Sequence, residues 1–213
     1  MASELREEVF VRRLLFDRFG AELRKLPKGS TKTADYELMA SGSRIAVVEV
    51  KTLEAQPMSE ARGWTIEHQS EHTWSGTRRD NAPTRVASHV HGAAKQLEHY
   101  TDPKVLVFLN EESFADVRDL DEAVQGTLMY GSESTGYVIN TASMRIAEGR
   151  IRDERWLIDL YIWIEPRRGP RTVFPVNAPV ERHPATEETV AFRVTSAAGL
   201  AIAQRVFGCP GEI

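Results

Sequence analysis

The chain has 213 residues, with 27 Lys+Arg against 31 Asp+Glu and a formal net charge of −4. That length holds one domain with a sizeable core, and 41% hydrophobic with 27% charged content excludes a disordered or fibrous chain. The acidic balance excludes a global basic field for nucleic acid: residues 1–110 hold 16 Lys+Arg against 15 Asp+Glu, the rest 11 against 16, so any basic groove is local. A lone cysteine, Cys209, leaves no disulfide and no cysteine zinc cluster. There is no signal-peptide pattern, and no apolar run approaches the ~20 residues of a membrane span. A reducing cytoplasm and no membrane partner are expected.

In chain order, residues 4–25 read as an amphipathic helix with Ser3 at the N-cap, because Val11, Leu15, Phe19 and Leu23 recur at helical spacing. Extending that stripe backwards reaches Glu8 and Glu4, acids that also suit a helix N-terminus electrostatically. Pro27-Lys28-Gly29-Ser30 ends the helix. Two strand-like runs follow, Ala34–Leu38 and Ile45–Lys51, joined across Ala40-Ser41-Gly42-Ser43 as a hairpin with a four- or five-residue loop. Along the second strand Ile45, Val47, Glu49 and Lys51 share one face, and Ala46, Val48 and Val50 share the other. A strand apolar on both faces is buried, and charge is costly there unless paired or bound to a cation. Asp35 opens the neighbouring strand and reaches the same spot, so two carboxylates and a lysine converge. That pattern points to a divalent-metal site, with Glu37 the rival of Asp35 for the first ligand.

Residues 53–84 are polar and without a clean period. Trp64, Trp74, Arg78 and Arg79 in this stretch suit base stacking and phosphate contact, or equally a surface loop with a small hairpin. His68-Gln69-Ser70-Glu71-His72 matches a zinc-hydrolase motif that needs a helix to present His68 and His72 together. Gly63 and Gly76 bracket it and no helical stripe runs through it. Residues 85–101 read as a second helix, with Val86, Val90, Ala93 and Leu97 on its core face and Arg85, His89, Gly92, Gln96 and Tyr100 beside them. Gly92 inside this helix is expected to permit a close approach. Packing beside the hairpin would turn Gln96 towards Lys51.

Asp35, Glu49-Val50-Lys51 fourteen residues later, and Gln96-Leu97-Glu98-His99-Tyr100 late in a helix resemble the PD-(D/E)xK nuclease superfamily. The Gln-x-x-x-Tyr element is similar to that of its RecB-like branch, and Ala34 stands where the loosely kept proline would be. The resemblance covers roughly residues 4–110. It implies a restriction-endonuclease-like αβββαβ core, and hydrolysis of nucleic-acid phosphodiesters with Mg²⁺ or Mn²⁺, DNA rather than RNA. It also implies Asp35, Glu49 and the Val50 carbonyl as metal ligands, with Glu8 as an extra acid from the first helix. Lys51 and Gln96 would complete the catalytic set, and Tyr100, Arg85, His89, Arg78 and Arg79 would contact the nucleic acid. The alternative on the same fold is a catalytically silent nucleic-acid-binding or scaffold protein.

Beyond the resemblance, Val105–Leu109 reads as a buried strand, residues 115–129 as a helix, and Trp156–Ile164 as a long strand bearing Asp159. Pro166–Pro184 reads as an extended arm, and Phe192–Val194 with 196–207 as a strand and a helix. One α/β domain over 1–213 is expected, a mixed central sheet flanked by helices, with the core at about 4–130 and a C-terminal elaboration at about 131–213. The third core strand is sought near residues 64–74. No Walker, Gly-x-Gly-x-x-Gly or Gly-x-Ser-x-Gly motif occurs.

Overall fold

A computed structural model describes residues 6–27, 33–54, 64–69, 74–78, 82–112, 115–125, 127–130, 137–140, 154–166 and 188–208; for 64–69, 74–78, 125, 127–130 and 137–140 it describes the backbone only. Arg79, His72, Cys209 and the proline-rich stretch 167–184 lie outside these residues. Helix α1 (Arg6–Phe19) buries Val11 and Leu15 and stops earlier than its periodicity implies. Gly20, at φ +67°, donates its N–H to the Phe16 carbonyl at 2.8 Å, a left-handed cap that turns the chain. Leu23 therefore belongs to a short strand, β1 (Glu22–Lys25), rather than to the helix.

Strands β2 (Tyr36–Ala40) and β3 (Ser43–Leu53) form the expected hairpin on a tighter turn. Its two central residues, Ser41 and Gly42, both have positive φ (51° and 77°), the twist that two-residue hairpins favour. The pairing passes from Met39↔Arg44 to Leu38↔Ala46, so Ile45 is a bulge residue. That extra residue puts Ile45 against the core of Val48 and Val50, the face opposite to the one strict alternation assigns.

Strands β4 (Trp64–Gln69) and β5 (Trp74–Arg78) form a separate two-stranded sheet, so the third core strand is not there. Helix α2 (Ala82–Leu97) carries Pro83 in its first turn and buries Val86, Val90, Ala93 and Leu97 as read from the sequence. Strand β6 (Lys104–Asn110) is buried almost throughout. The residues expected to continue as one helix divide into α3 (Val117–Gln125) and β7 (Thr127–Tyr130), which pairs with β8 (Tyr137–Asn140). The long strand is likewise divided, into a 3-10 turn (Arg155–Leu157) and β9 (Leu160–Glu165). Strand β10 (Thr189–Val194) and helix α4 (Ala197–Phe207) close the order as expected.

The six-stranded mixed sheet runs β1-β2-β3-β6-β9-β10. Its first half is antiparallel, β3, β6 and β9 are mutually parallel, and β10 returns antiparallel. Leaving aside the small hairpin, the elements to β6 run helix, three strands, helix, strand, with β1 as the first strand. Strands β9 and β10 continue the same sheet, so this part of the expected elaboration belongs to the main core.

Two apolar layers sandwich the sheet. Val47, Leu53, Leu106 and Phe108 pack with α2 and α3 on one face. Val48, Val50, Val105 and Val107 pack with α1 and α4 on the other, where Phe19, Phe192 and Phe207 meet edge to face or tilted at 5.1–5.8 Å. At roughly 25 cal/mol per Å² of apolar surface, these layers supply the main drive for folding. No helix among the described residues is long and apolar enough to cross a membrane.

Candidate functional site

Beyond Val48, strand β2 no longer covers β3. Asp35 sits at that point, giving its N–H to the Val48 carbonyl at 3.0 Å and accepting the Val50 N–H on Oδ2 at 3.0 Å. A carboxylate thus replaces the next residue of β2 in the ladder. In a parallel pair each residue turns both backbone groups to one neighbour. Val47 N–H and the Leu53 carbonyl are used towards β6. The even-numbered Val50 therefore faces its carbonyl to the side of Asp35, where a ligand role needs it.

Glu49 stands on the α2 face and is only 2% exposed. Its Oε1 accepts from Lys51 Nζ at 2.5 Å, and its Oε2 accepts from Gln96 Nε2 at 2.8 Å. The same Gln96 amide donates to the Thr33 carbonyl at 2.8 Å, tying α2 to the segment that carries Asp35. Burial, then the neighbouring Asp35 charge, raises the Glu49 pKa to about 7, against the opposing pull of Lys51. Asp35, Glu49, Lys51 and Gln96 are brought together as the sequence predicts. Glu37 is not among them: its carboxylate binds Arg44 at 3.0 Å, and Arg44 also grips Asp102. Between the two rival acids, Asp35 is the one beside Glu49.

The remaining expected residues divide by place. Glu8 is buried on α1 and its carboxylate is held by Lys25 of β1. Tyr100 lies just past the end of α2, and its hydroxyl accepts the Ala34 N–H at 3.3 Å, bracing the residue before Asp35. Arg85 pairs with the buried Glu112 at 2.9 Å and donates to the Glu54 carbonyl at 2.7 Å, so it clamps the ends of β3 and β6. His89 faces the same region; burial, then the charges of Lys51 and Arg85, lowers its pKa and favours the neutral ring. Arg78 ends β5, in the separate hairpin. His68 lies on strand β4, which removes the helix that the zinc reading of His68 and His72 requires.

Residues missed from the sequence are Thr33, Lys25, Glu54 and Glu112. Thr33 and Glu54 act through backbone carbonyls, which no side-chain pattern reveals. Glu112 had a readable signal: it stands two residues past the apolar strand β6. No family model, curated protein or solved structure matches this chain. The site therefore rests on its own geometry.

The donor set can be tested against a metal. Two carboxylates and a main-chain carbonyl are all oxygen, and no cluster of three or more His, Cys, Asp or Glu forms among the described residues. That sparse oxygen set fits a hard cation such as Mg²⁺ or Mn²⁺, which keeps several waters and takes further oxygens from a phosphate. It does not fit zinc, which favours nitrogen and sulfur donors. Glu8 would join this set only by releasing Lys25.

Proposed function

We propose that the protein is a Mg²⁺- or Mn²⁺-dependent nuclease hydrolysing phosphodiester bonds, with DNA favoured over RNA by the resemblance of its motifs. The observation carrying this reading is the convergence of Asp35 with a buried Glu49, Lys51 and Gln96 at the carboxyl end of β3. Open α/β sheets bind ligands outside the carboxyl ends of their strands, which fits this location. Asp35, Glu49 and the Val50 carbonyl would hold the cation, and Glu8 is a further candidate. When bound, the cation supplies charge stabilisation at the scissile phosphate and a lowered pKa for the attacking water. Lys51 supplies a positive charge against the phosphate oxygens. Gln96, whose two amide N–H bonds go to Thr33 and Glu49, fixes the Glu49 carboxylate in place and leaves its Oε1 to accept from and order water. Arg85, His89 and Tyr100 border the site as candidate contacts for the nucleic acid, and Arg78, at the end of the separate hairpin, and Arg79, next to it in sequence, are further candidates.

A second reading has its own support. Both Glu49 oxygens and one Asp35 oxygen already accept bonds from the protein itself, as in a structural charge cluster. A catalytically silent nucleic-acid-binding or scaffold protein would look the same at these atoms.

The test is incubation of labelled single- and double-stranded DNA and RNA with the protein, in Mn²⁺ and in EDTA. Cleavage in Mn²⁺ alone is expected. Lys51→Ala, folded by circular dichroism, should lose at least a hundredfold in rate, about 2.7 kcal/mol of barrier. Equal rates for that variant and the wild type would remove the site assignment, and no cleavage of any of the four substrates would leave the silent reading in front.

A further inference from the structure

Outside the acidic site, the outer flank of α1 and the sheet-edge strand β1 enclose a cleft of ≈ 660 Å³, lined by Val9, Arg12, Arg13, Phe16, Arg24 and Lys25, with Leu23 and Glu22 at its floor and rim. We infer that this cleft is the groove for a single strand of nucleic acid leading to the acidic site. The inference deepens the nuclease reading and rests on it.

Three observations carry it. The first is charge: the lining holds four cations and one acid, in a chain whose net charge is −4. Arg13 also meets Asp17 at 3.4 Å and Lys25 holds Glu8; the side chains of Arg12, Arg13 and Arg24 are all exposed. The second is an aromatic in the open. Phe16 is 57% exposed and Val9 38%, and both lie on the helix face that carries Arg12 and Arg13, at spacings of three and four residues. An exposed ring between cations is the arrangement that stacks a base and grips its flanking phosphates without reading sequence. A duplex keeps its bases stacked on one another and offers Phe16 no face. A peptide strand is disfavoured because β1 has only four residues and three of them are charged, which blunts an edge against pairing.

The third observation is direction. Strands β1 and β3 both run antiparallel to β2, so the Lys25 end of the cleft lies at the same end of the sheet as Glu49 and Lys51. Lys25, Tyr36 and Val48 form one row across the three strands, and Leu26 N–H bonds the Asp35 carbonyl at 3.0 Å. With strands about 4.8 Å apart, the groove ends about 10 Å across the sheet from Val48. A strand lying on Phe16 and Arg12 and leaving past Lys25 comes to the sheet end that carries Asp35, and would have to pass round that end to meet Glu49 on the α2 face.

The test is fluorescence anisotropy of labelled oligothymidylate in EDTA, across a salt series, with a blunt DNA duplex of the same length beside it. Wild type should bind the single strand more tightly than the duplex. Arg12→Ser with Arg24→Ser should weaken single-strand binding at least tenfold and flatten the log–log salt slope by about 1.4, from ~0.7 per phosphate contact. Phe16→Ala should weaken binding with the slope unchanged. Wild-type hydrolysis of bis(p-nitrophenyl) phosphate in Mn²⁺, a diester too small to need the groove, reports separately on the nuclease reading. Wild-type affinity and slope in the arginine variant, or tighter binding of the duplex, would overturn the groove even if the small diester is hydrolysed. Loss of single-strand binding in the variants, with no hydrolysis of the small diester, would keep the groove and remove the nuclease.

Discussion

At the level of single residues, Glu49 is held in a state its surroundings resist. Burial and Asp35 move its pKa from 4.5 to about 7. A proton therefore binds the folded form more tightly than the unfolded one. Stability from this group is complete below about pH 4.5 and is lost as pH rises through about 7, a difference of about 3 kcal/mol without metal. Asp35→Asn removes the second cause of the shift while leaving an oxygen for the Val50 N–H. In EDTA, the variant should therefore lose less stability than wild type between pH 4.5 and 7, as read from urea denaturation at several pH values. Parallel curves for the two proteins would mean that the Asp35 charge does not act on Glu49. Glu49 and Lys51 were legible because a period-2 strand puts alternate residues side by side, and Gln96 because helical spacing sets it beside a buried stripe. The pairing of Glu37 with Arg44 was not legible because the bulge at Ile45 shifts the hairpin register, and that of Glu8 with Lys25 because it joins α1 to a strand hidden in the helical stripe.

At the level of elements, close approach is set by a glycine that the sequence does not mark. Gly92 stands in mid-helix, yet a Cβ built there meets nothing within 4 Å, so it permits no close packing. Gly199, in the first turn of α4, is where the approach occurs: a Cβ would come within 1.9 Å of the Asp159 carbonyl oxygen. That backbone is fixed from several sides. Asp159 accepts Lys104 N–H on Oδ2 at 2.8 Å and Ser196 Oγ–H on Oδ1 at 2.5 Å, and Ser196 Oγ caps α4 by accepting Gly199 N–H at 3.1 Å. Asp159 is thus a bracket between β6, β9 and α4, not an edge charge. Gly199→Ala should lower the unfolding free energy by about 3 kcal/mol, because helix or strand must shift. Gly92→Ala should raise it by about 0.5–1 kcal/mol, because only the helix propensity changes. Denaturant titration decides the pair, and a Gly199→Ala protein as stable as wild type would show that α4 is free to move. Hairpin β2–β3 and helix α2 were readable because their periods are local and long. Strand β1 was not, because Glu-Leu-Arg-Lys continues a helical stripe and only the cap at Gly20 breaks it.

At the level of the whole molecule, the candidate site is made of parts far apart in sequence. Asp35 precedes β2, Glu49 and Val50 belong to the central β3, and Gln96 to a helix that reaches them after the separate hairpin. The sheet brings these together only when β2, β3 and α2 are all in place, so an unfolded chain offers no such site. A ligand that binds only the native form stabilises it by RT ln(1 + [L]/Kd), about 2.7 kcal/mol at a hundred times Kd. Wild-type protein should accordingly melt higher in millimolar Mn²⁺ than in EDTA. Asp35→Asn should melt at least as high as wild type in EDTA near pH 8, where Glu49 is charged and one repelling neighbour is gone, and should lose most of the Mn²⁺ shift. Glu37→Gln should keep that shift, because its carboxylate is turned to Arg44. Differential scanning fluorimetry on the three proteins reads all of this without a substrate. A wild type with no shift up to high millimolar Mn²⁺, or a shift that Asp35→Asn leaves intact, would mean that the cluster balances charge within the fold and holds no cation. Lys51 and Gln96 would then be its neutralising partners, and the proposed nuclease activity would lose its site.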